Sequence, residues 1–169
     1  MVKILETERL VMRRLEPSDL EDLYALYRDP EIRRYFPDGV LSYEQTKEEL
    51  EWFLNGHPAD PRLGLWATIL KADGKFVGRC GLLPWTIEGV PEVEIAYMIA
   101  KEYWRQGLGS EAARALVRYG FEVLGLNRLV ALTDRDHEAT QRTAISAGLG
   151  FERQVVMDGV VSDLYSISR

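Results

Sequence analysis

The sequence predicts an α/β domain in which one mixed β-sheet of about seven strands is flanked by about four helices. Three observations carry that reading. Apolar residues recur at two-residue steps in some segments and at three- and four-residue steps in others, in the order strand, helix, helix, three strands, helix, strand, helix, two strands. The run from Tyr97 through a glycine turn into a long helical pattern, and on into "RLVALT", has the order that makes its two strands parallel with a helix across one sheet face. Finally, Asp73-Gly74 and Asp158-Gly159 separate strand-like runs, as the turn residues of hairpins do. No repeat, low-complexity run or linker interrupts the chain, so residues 1–169 read as a single domain.

The elements follow in order. "RLVMRRL" reads as the first strand, and "PSDLEDLYALYRD" as a helix with Ser18 as its cap and Leu20, Leu23, Tyr24 and Tyr27 on one face, stopped at Pro30. "LSYEQTKEELEWFLNG" gives a second helix opened by Ser42, with Gln45 placed for a capping box, and closed at Asn55-Gly56. From "GLWATILKADGKFVGRCGLLPW" come two strands meeting at Asp73-Gly74, and "EVEIAYMIA" alternates as a third. A helix then runs to about Leu124, with Ala113, Leu116, Val117, Gly120 and Leu124 on one face and Gly125 after its end. "NRLVALTD" is a buried strand, "EATQRTAISAG" a short helix, and "FERQVVMDGVVSDLYSI" a closing hairpin.

Composition removes several function classes. The formal net charge of −6 opposes an anionic partner such as a nucleic-acid backbone or a membrane surface, and suits a cationic, amine-bearing one. Cys80 is the single cysteine and the histidines are His57 and His137, so no metal-ligand cluster and no intramolecular disulfide are expected. The start "MVKILETERL" is too short in apolar residues for a signal peptide or a span, which makes the cytoplasm the expected compartment.

Gly107 and Gly109 stand at the mouth of the long helix. One reading is a plain turn. The other is chemical, since the first turn of a helix leaves N–H groups unpaired at the positive end of its dipole and can cradle a phosphate. A dinucleotide fingerprint would put its third glycine at Ala112, with Asp134 as the acidic residue beyond the next strand; a Walker loop fails because no Gly-Lys-Ser/Thr follows.

The segment "YWRQGLGSEAA", between strand and helix, resembles the acetyl-CoA-binding core of the GNAT acetyltransferases, whose signature is Gln/Arg-x-x-Gly-x-Gly/Ala. Trp104 takes the position where Gln or Arg is commonest. That replacement, the opening "ETERLVMRRLEPSDLEDLYALYRDPEIRRYFP" and the close "DGVVSDLYSI" are similar to the branch of the ribosomal-protein N-terminal acetyltransferases. The resemblance implies acetyl-CoA as cosubstrate, its diphosphate on the backbone of Gln106, Gly107, Leu108, Gly109 and Ser110, Arg105 near the adenosine end, and the pantetheine arm paired with the strand at Tyr97, Met98 and Ile99. It also implies direct transfer to an amine, with a strand N–H from Tyr97 to Ile99 facing the thioester oxygen.

Candidate chemistry rests on few groups. Glu94 is the candidate base, against the alternative of a solvated strand carboxylate. Relatives carry a tyrosine near the leaving sulfur where Ala144 stands here; Thr140 is the nearest hydroxyl, with helix capping as its other reading, and His137 takes the place of an asparagine, as a positioning group or as an acid or base. Tyr35 and Phe36, in the loop after the first helix, are the substrate-contact candidates, whereas Tyr24, Tyr27 and Trp52 at helical spacing read as core. Cys80 has no histidine beside it to make it a nucleophile. The competing function is a non-catalytic acyl-CoA sensor; acceptor identity and homodimer formation stay open.

Overall fold

The computed structural model describes residues 1–169. Eight strands form one sheet: β1 (Lys3–Glu6), β2 (Leu10–Arg14), β3 (Gly64–Leu70), β4 (Phe76–Ile87), β5 (Val90–Ile99), β6 (Arg128–Thr133), β7 (Gly150–Met157) and β8 (Val160–Ser168), in the order β1-β2-β3-β4-β5-β6-β8-β7. Four helices accompany them: α1 (Leu20–Tyr27), α2 (Tyr43–Phe53), α3 (Leu108–Glu122) and α4 (Glu138–Ser146). The α/β class and the helix count agree with the sequence reading. The eighth strand is β1, four residues paired antiparallel with β2, whose Lys3 and Glu6 ends hid the pattern.

Local chemistry explains most boundaries. The α2 capping box forms as expected, with Gln45 N–H donating to Ser42 Oγ and Ser42 N–H to Gln45 Oε1. Ser18 does not cap α1. The chain instead turns through Pro17–Asp19, where the Asp19 carboxylate accepts the Glu16 N–H at 2.7 Å and two bonds from the Arg13 guanidinium at 2.8 Å. Asp158 and Gly159 both adopt positive φ and close the β7–β8 hairpin. Glu88-Gly89 does the same between β4 and β5, joining them into a continuous ribbon from Phe76 to Ile99.

Both sheet faces are covered. On one, Leu108, Ala112, Ala113, Leu116 and Val117 of α3 and Ala144 of α4 pack on Leu10, Met12, Trp66, Cys80, Ile95 and Leu129. On the other, Leu23, Leu26 and Tyr27 of α1 and Leu50 and Phe53 of α2 pack on Leu65, Ala67 and Met98. Burying apolar area on this scale, at about 25 cal/mol per Å², is what holds helices to sheet. Because β5 is sandwiched, its odd residues face α3 and α4, and Ala96 and Met98 face α1 and α2.

All sheet pairs are antiparallel except β5–β6. A dinucleotide-binding fold needs a mostly parallel sheet, so that alternative is set aside. In the parallel pair the one registered partner is Glu94↔Val130, although β5 continues to Ile99 and β6 to Thr133. Past Glu94 the strands part, and the β5 edge toward β6 has no ladder there.

Candidate active site

β5 and β6 flank that opening, and the glycine turn leads from the end of β5 into α3. After β5, Arg105 and Gly107 both take positive φ, +64° and +78°, and Gly107 is the N-cap of α3. The first satisfied donor of the helix is the Glu111 N–H, bonded to Gly107 O at 3.0 Å. The N–H groups of Leu108, Gly109 and Ser110 precede it and have no acceptor in the chain. Unpaired N–H groups at the positive end of a helix dipole are the arrangement that can cradle an anion.

The two glycines differ. At Gly107 the left-handed backbone itself favours glycine, and a Cβ would approach Arg9 Nη2 at 3.4 Å. Gly109 has ordinary helical geometry, and its Cβ would meet only Thr143, at 4.0 Å. The turn therefore requires Gly107 by its backbone, and open space beside the unpaired N–H groups is what Gly109 contributes. Leu108 is buried in the core at 2% exposure, so only its backbone can serve a ligand. Arg105 and Gln106 are exposed and Ser110 is half-buried.

Glu94 lies where the parallel strands part. Its Oε1 accepts the Trp85 indole N–H at 2.9 Å, and its Oε2 faces the Leu132 N–H of β6 at 3.4 Å. The residue is half-buried by surface, yet the packing around its carboxylate is dense enough for burial to push its pKa up, against those two bonds and the charge of Arg79. Glu94 is thus partly buried and held at both carboxylate oxygens rather than projecting freely into solvent. Glu92, two residues earlier, is a structural group held by three bonds from Arg128.

Tyr97 reaches across the opening on the other face, donating its hydroxyl to Thr140 O at 2.9 Å, with burial pushing its pKa to about 12. The Trp104 indole N–H donates to Ile99 O at 2.8 Å, fixing the strand end from which the glycine turn departs. Met98 turns its side chain into the α1–α2 core. Thr140 contributes its carbonyl; its hydroxyl neither caps α4 nor bonds within the chain, which removes the capping reading. The N-cap position is His137, without a side-chain cap bond.

His137 stacks on Tyr35, ring centroids 4.2 Å apart and planes at 15°. Burial holds the His137 pKa below its ordinary value, against the pull of Asp134 and with help from Arg34. Phe36 is covered on one side by the Arg33 guanidinium at 4.1 Å and does not join the stack. Of the aromatics read as core, Tyr27 is buried and its hydroxyl accepts from Arg79 Nε at 2.8 Å, but Trp52 is 56% exposed. Ala144 is fully buried, leaving no hydroxyl at that place on α4. Cys80 is fully buried too, and burial pushes its thiol pKa up, so it is no nucleophile.

Sequence reasoning missed Arg9 beside the cradle, the Tyr97 hydroxyl bridge and the Trp85 bond to Glu94. Each joins segments distant in the chain or depends on a turn register that no local pattern carries. No group of three or more His, Cys, Asp or Glu is arranged to hold a metal, and no helix is long and apolar enough to cross a membrane.

Comparison with known proteins agrees with this layout. The acetyltransferase (GNAT) domain family matches residues 9–150. The uncharacterized N-acetyltransferase YoaA of Bacillus subtilis (strain 168) is 30% identical over 158 residues, covering 93% of this chain and 87% of its own. Among solved structures, a GNAT-family acetyltransferase from Bacillus anthracis has a TM-score of 0.84 at 23% identity, covering 97% of each chain. An aminoglycoside acetyltransferase solved in complex with coenzyme A has a TM-score of 0.76 at 16% identity, covering 95% of each chain. The splayed parallel strands, the glycine turn and these matches together place the chain in the GNAT family of acetyltransferases.

Proposed function

We propose that this chain transfers an acetyl group directly from acetyl-CoA to a primary amine, within the branch similar to the ribosomal-protein N-terminal acetyltransferases. The observation that carries the reading is the opening between β5 and β6, which has free N–H groups of α3 at one side and the carboxylate of Glu94 where the strands separate. The N–H groups of Leu108, Gly109 and Ser110 would hold the diphosphate, with Gln106 and Gly107 shaping the turn and Arg105 toward the adenosine. The free edge of β5 from Tyr97 to Ile99 would pair with the amide groups of pantetheine, and a β5 N–H would face the negative charge growing on the thioester oxygen.

A bound ammonium must lose a proton before its nitrogen can attack. Glu94 suits that task, because a raised pKa brings a carboxylate closer to the working pH while leaving it able to accept a proton. The thiolate that departs needs a proton in return; Thr140, whose carbonyl accepts from Tyr97 of β5, or His137, stacked on Tyr35, would supply it, and Tyr35 and Phe36 would border the acceptor. The net charge of −6 favours a cationic acceptor, a protein N-terminus or a small amine, in the cytoplasm.

The test is thiol release from acetyl-CoA across a library of primary amines. Release that depends on a particular amine is the expected result. CoA binding without release for any amine would instead support a sensor.

A further inference from the structure

We infer that Arg9 is a phosphate-binding residue, holding the acetyl-CoA diphosphate from the side of the cradle opposite the α3 backbone. The inference rests on the reading of that cradle as the cofactor site. Arg9 stands in the corner between β1 and β2, remote in sequence from the glycine turn, and the fold brings it there by pairing β1 and β2 at the sheet edge beside α3.

The guanidinium is fixed at two of its three nitrogens. Nε donates to Glu111 Oε1 at 2.7 Å, and Nη1 donates to Gln106 O at 2.8 Å. The Glu111 carboxylate also accepts the Arg9 backbone N–H at 3.0 Å and the Thr7 hydroxyl. Burial raises the pKa of Glu111, but these bonds outweigh it and hold the carboxyl below its ordinary value, so the anchor stays charged. One carboxylate on the first turn of α3 thus grips the β1–β2 corner three times.

The third nitrogen is left over. Nη2 has no acceptor in the chain and lies 3.4 Å from the point where a Cβ on Gly107 would sit. It is therefore beside Gly107, the residue from which the unpaired N–H groups of α3 follow. Arginine held as a planar fork presents its remaining N–H groups in fixed directions, which suits a phosphate oxygen better than a mobile lysine would. With its side chain 42% exposed, Arg9 is open to a ligand from solvent. The residue at 107 is then constrained twice, by its backbone and by the space the guanidinium needs.

The plainer role is a staple: Arg9 joins the sheet edge to α3 and its free nitrogen is incidental. A staple and a ligand differ in what they do to donors that lack phosphate. Affinity for CoA, dephospho-CoA and pantetheine is measured on wild type and Arg9→Met, by calorimetry for the first two and ligand-observed NMR for the third. The expected result is a loss of at least about tenfold for CoA and for dephospho-CoA alike, with pantetheine changed much less. Equal loss for all three, or unchanged CoA affinity, would reduce Arg9 to the staple. Loss for CoA with dephospho-CoA spared would move the contact to the 3′-phosphate and overturn the assignment.

Arg9→Lys covers the case in which Arg9→Met does not fold. It keeps the charge but has one nitrogen to divide among Glu111, Gln106 and phosphate, so the ratio of CoA to pantetheine affinity must fall there also. Wild-type protein that binds none of the three would defeat the cofactor-site reading itself, a separate outcome.

Discussion

Tyr35 and His137 lie ring on ring, centroids 4.2 Å apart, one from the loop after α1 and the other at the N-cap of α4. The pair ties the loop after α1 to the start of α4. Stacked aromatic pairs contribute about 0.5–1.5 kcal/mol beyond their buried area. A double-mutant cycle on Tyr35→Ala and His137→Ala should therefore show coupling of about that size in denaturant unfolding, and a shared rise in the KM for the amine. Strict additivity would mean that the contact contributes nothing. His137→Phe, which keeps a ring and cannot titrate, should hold kcat within about tenfold, a factor worth about 1.4 kcal/mol; a loss beyond about a hundredfold would make His137 an acid or base.

Glu94→Gln removes the proton acceptor while keeping the shape. The kcat should fall by about 10²–10⁴-fold, with little change in the KM for acetyl-CoA. In wild type, kcat/KM should rise with pH through a pKa above the ordinary carboxylate range, since burial raises it. A pH–rate profile that Glu94→Gln leaves unaltered would exclude this residue as the base.

The same shift has a consequence for stability. A carboxyl whose folded pKa exceeds its unfolded value binds its proton more tightly in the native state, so its contribution is full below the unfolded pKa and is lost as pH rises through the folded one. The difference in unfolding free energy between wild type and Glu94→Gln should drift against wild type as pH increases from about 4.5 upward. Parallel curves for the two proteins would show that the carboxyl is not perturbed.

Gly107 and Gly109 should respond differently to substitution. Gly107→Ala puts a side chain at φ +78° and should lower stability by about 1 kcal/mol, and Gly107→Asp adds a carboxylate beside Arg9 that competes with phosphate. CoA affinity should collapse in the Asp variant. Gly109→Ala, with room to 4.0 Å, should leave the unliganded fold unaffected. Calorimetry with CoA and thermal unfolding read both effects.

Cys80→Ala should keep its activity and show ternary-complex kinetics, because a fully buried thiol without a base cannot carry the acetyl group. Stability should drop by about 1–2 kcal/mol for the small cavity. Ping-pong kinetics, or an acetylated Cys80 peptide, would overturn direct transfer.

Local rules made much of this legible. The Ser42 box, the Asp158-Gly159 turn and the α3 face are written in short windows, and the structure has them. Glu94 and Glu92 look alike in the alternating strand, and only Arg128, a long way on in sequence, makes one a structural ion and leaves the other to the opening. Arg9 was unreadable for the same reason, since its meaning depends on Gln106 and Glu111. Tyr35 and His137 each stand out as candidates in the sequence, but no sequence period places one on the other. The low pKa of His137 also moves its protonation below the range near pH 6.5 that the free side chain would suggest.

The sheet order β6-β8-β7 means that β6 gains its outer neighbour only when Val160–Ser168 has been made. At roughly 5–20 residues per second, synthesis leaves the far wall of the opening as a bare edge for about 2–7 seconds after Thr133 is added. Bare edges template pairing with other chains, so a nascent chain stalled in this window is the species most exposed to misassembly. Shortening of the β7–β8 hairpin should thus lower the yield of soluble protein before it touches any residue of the proposed cofactor site.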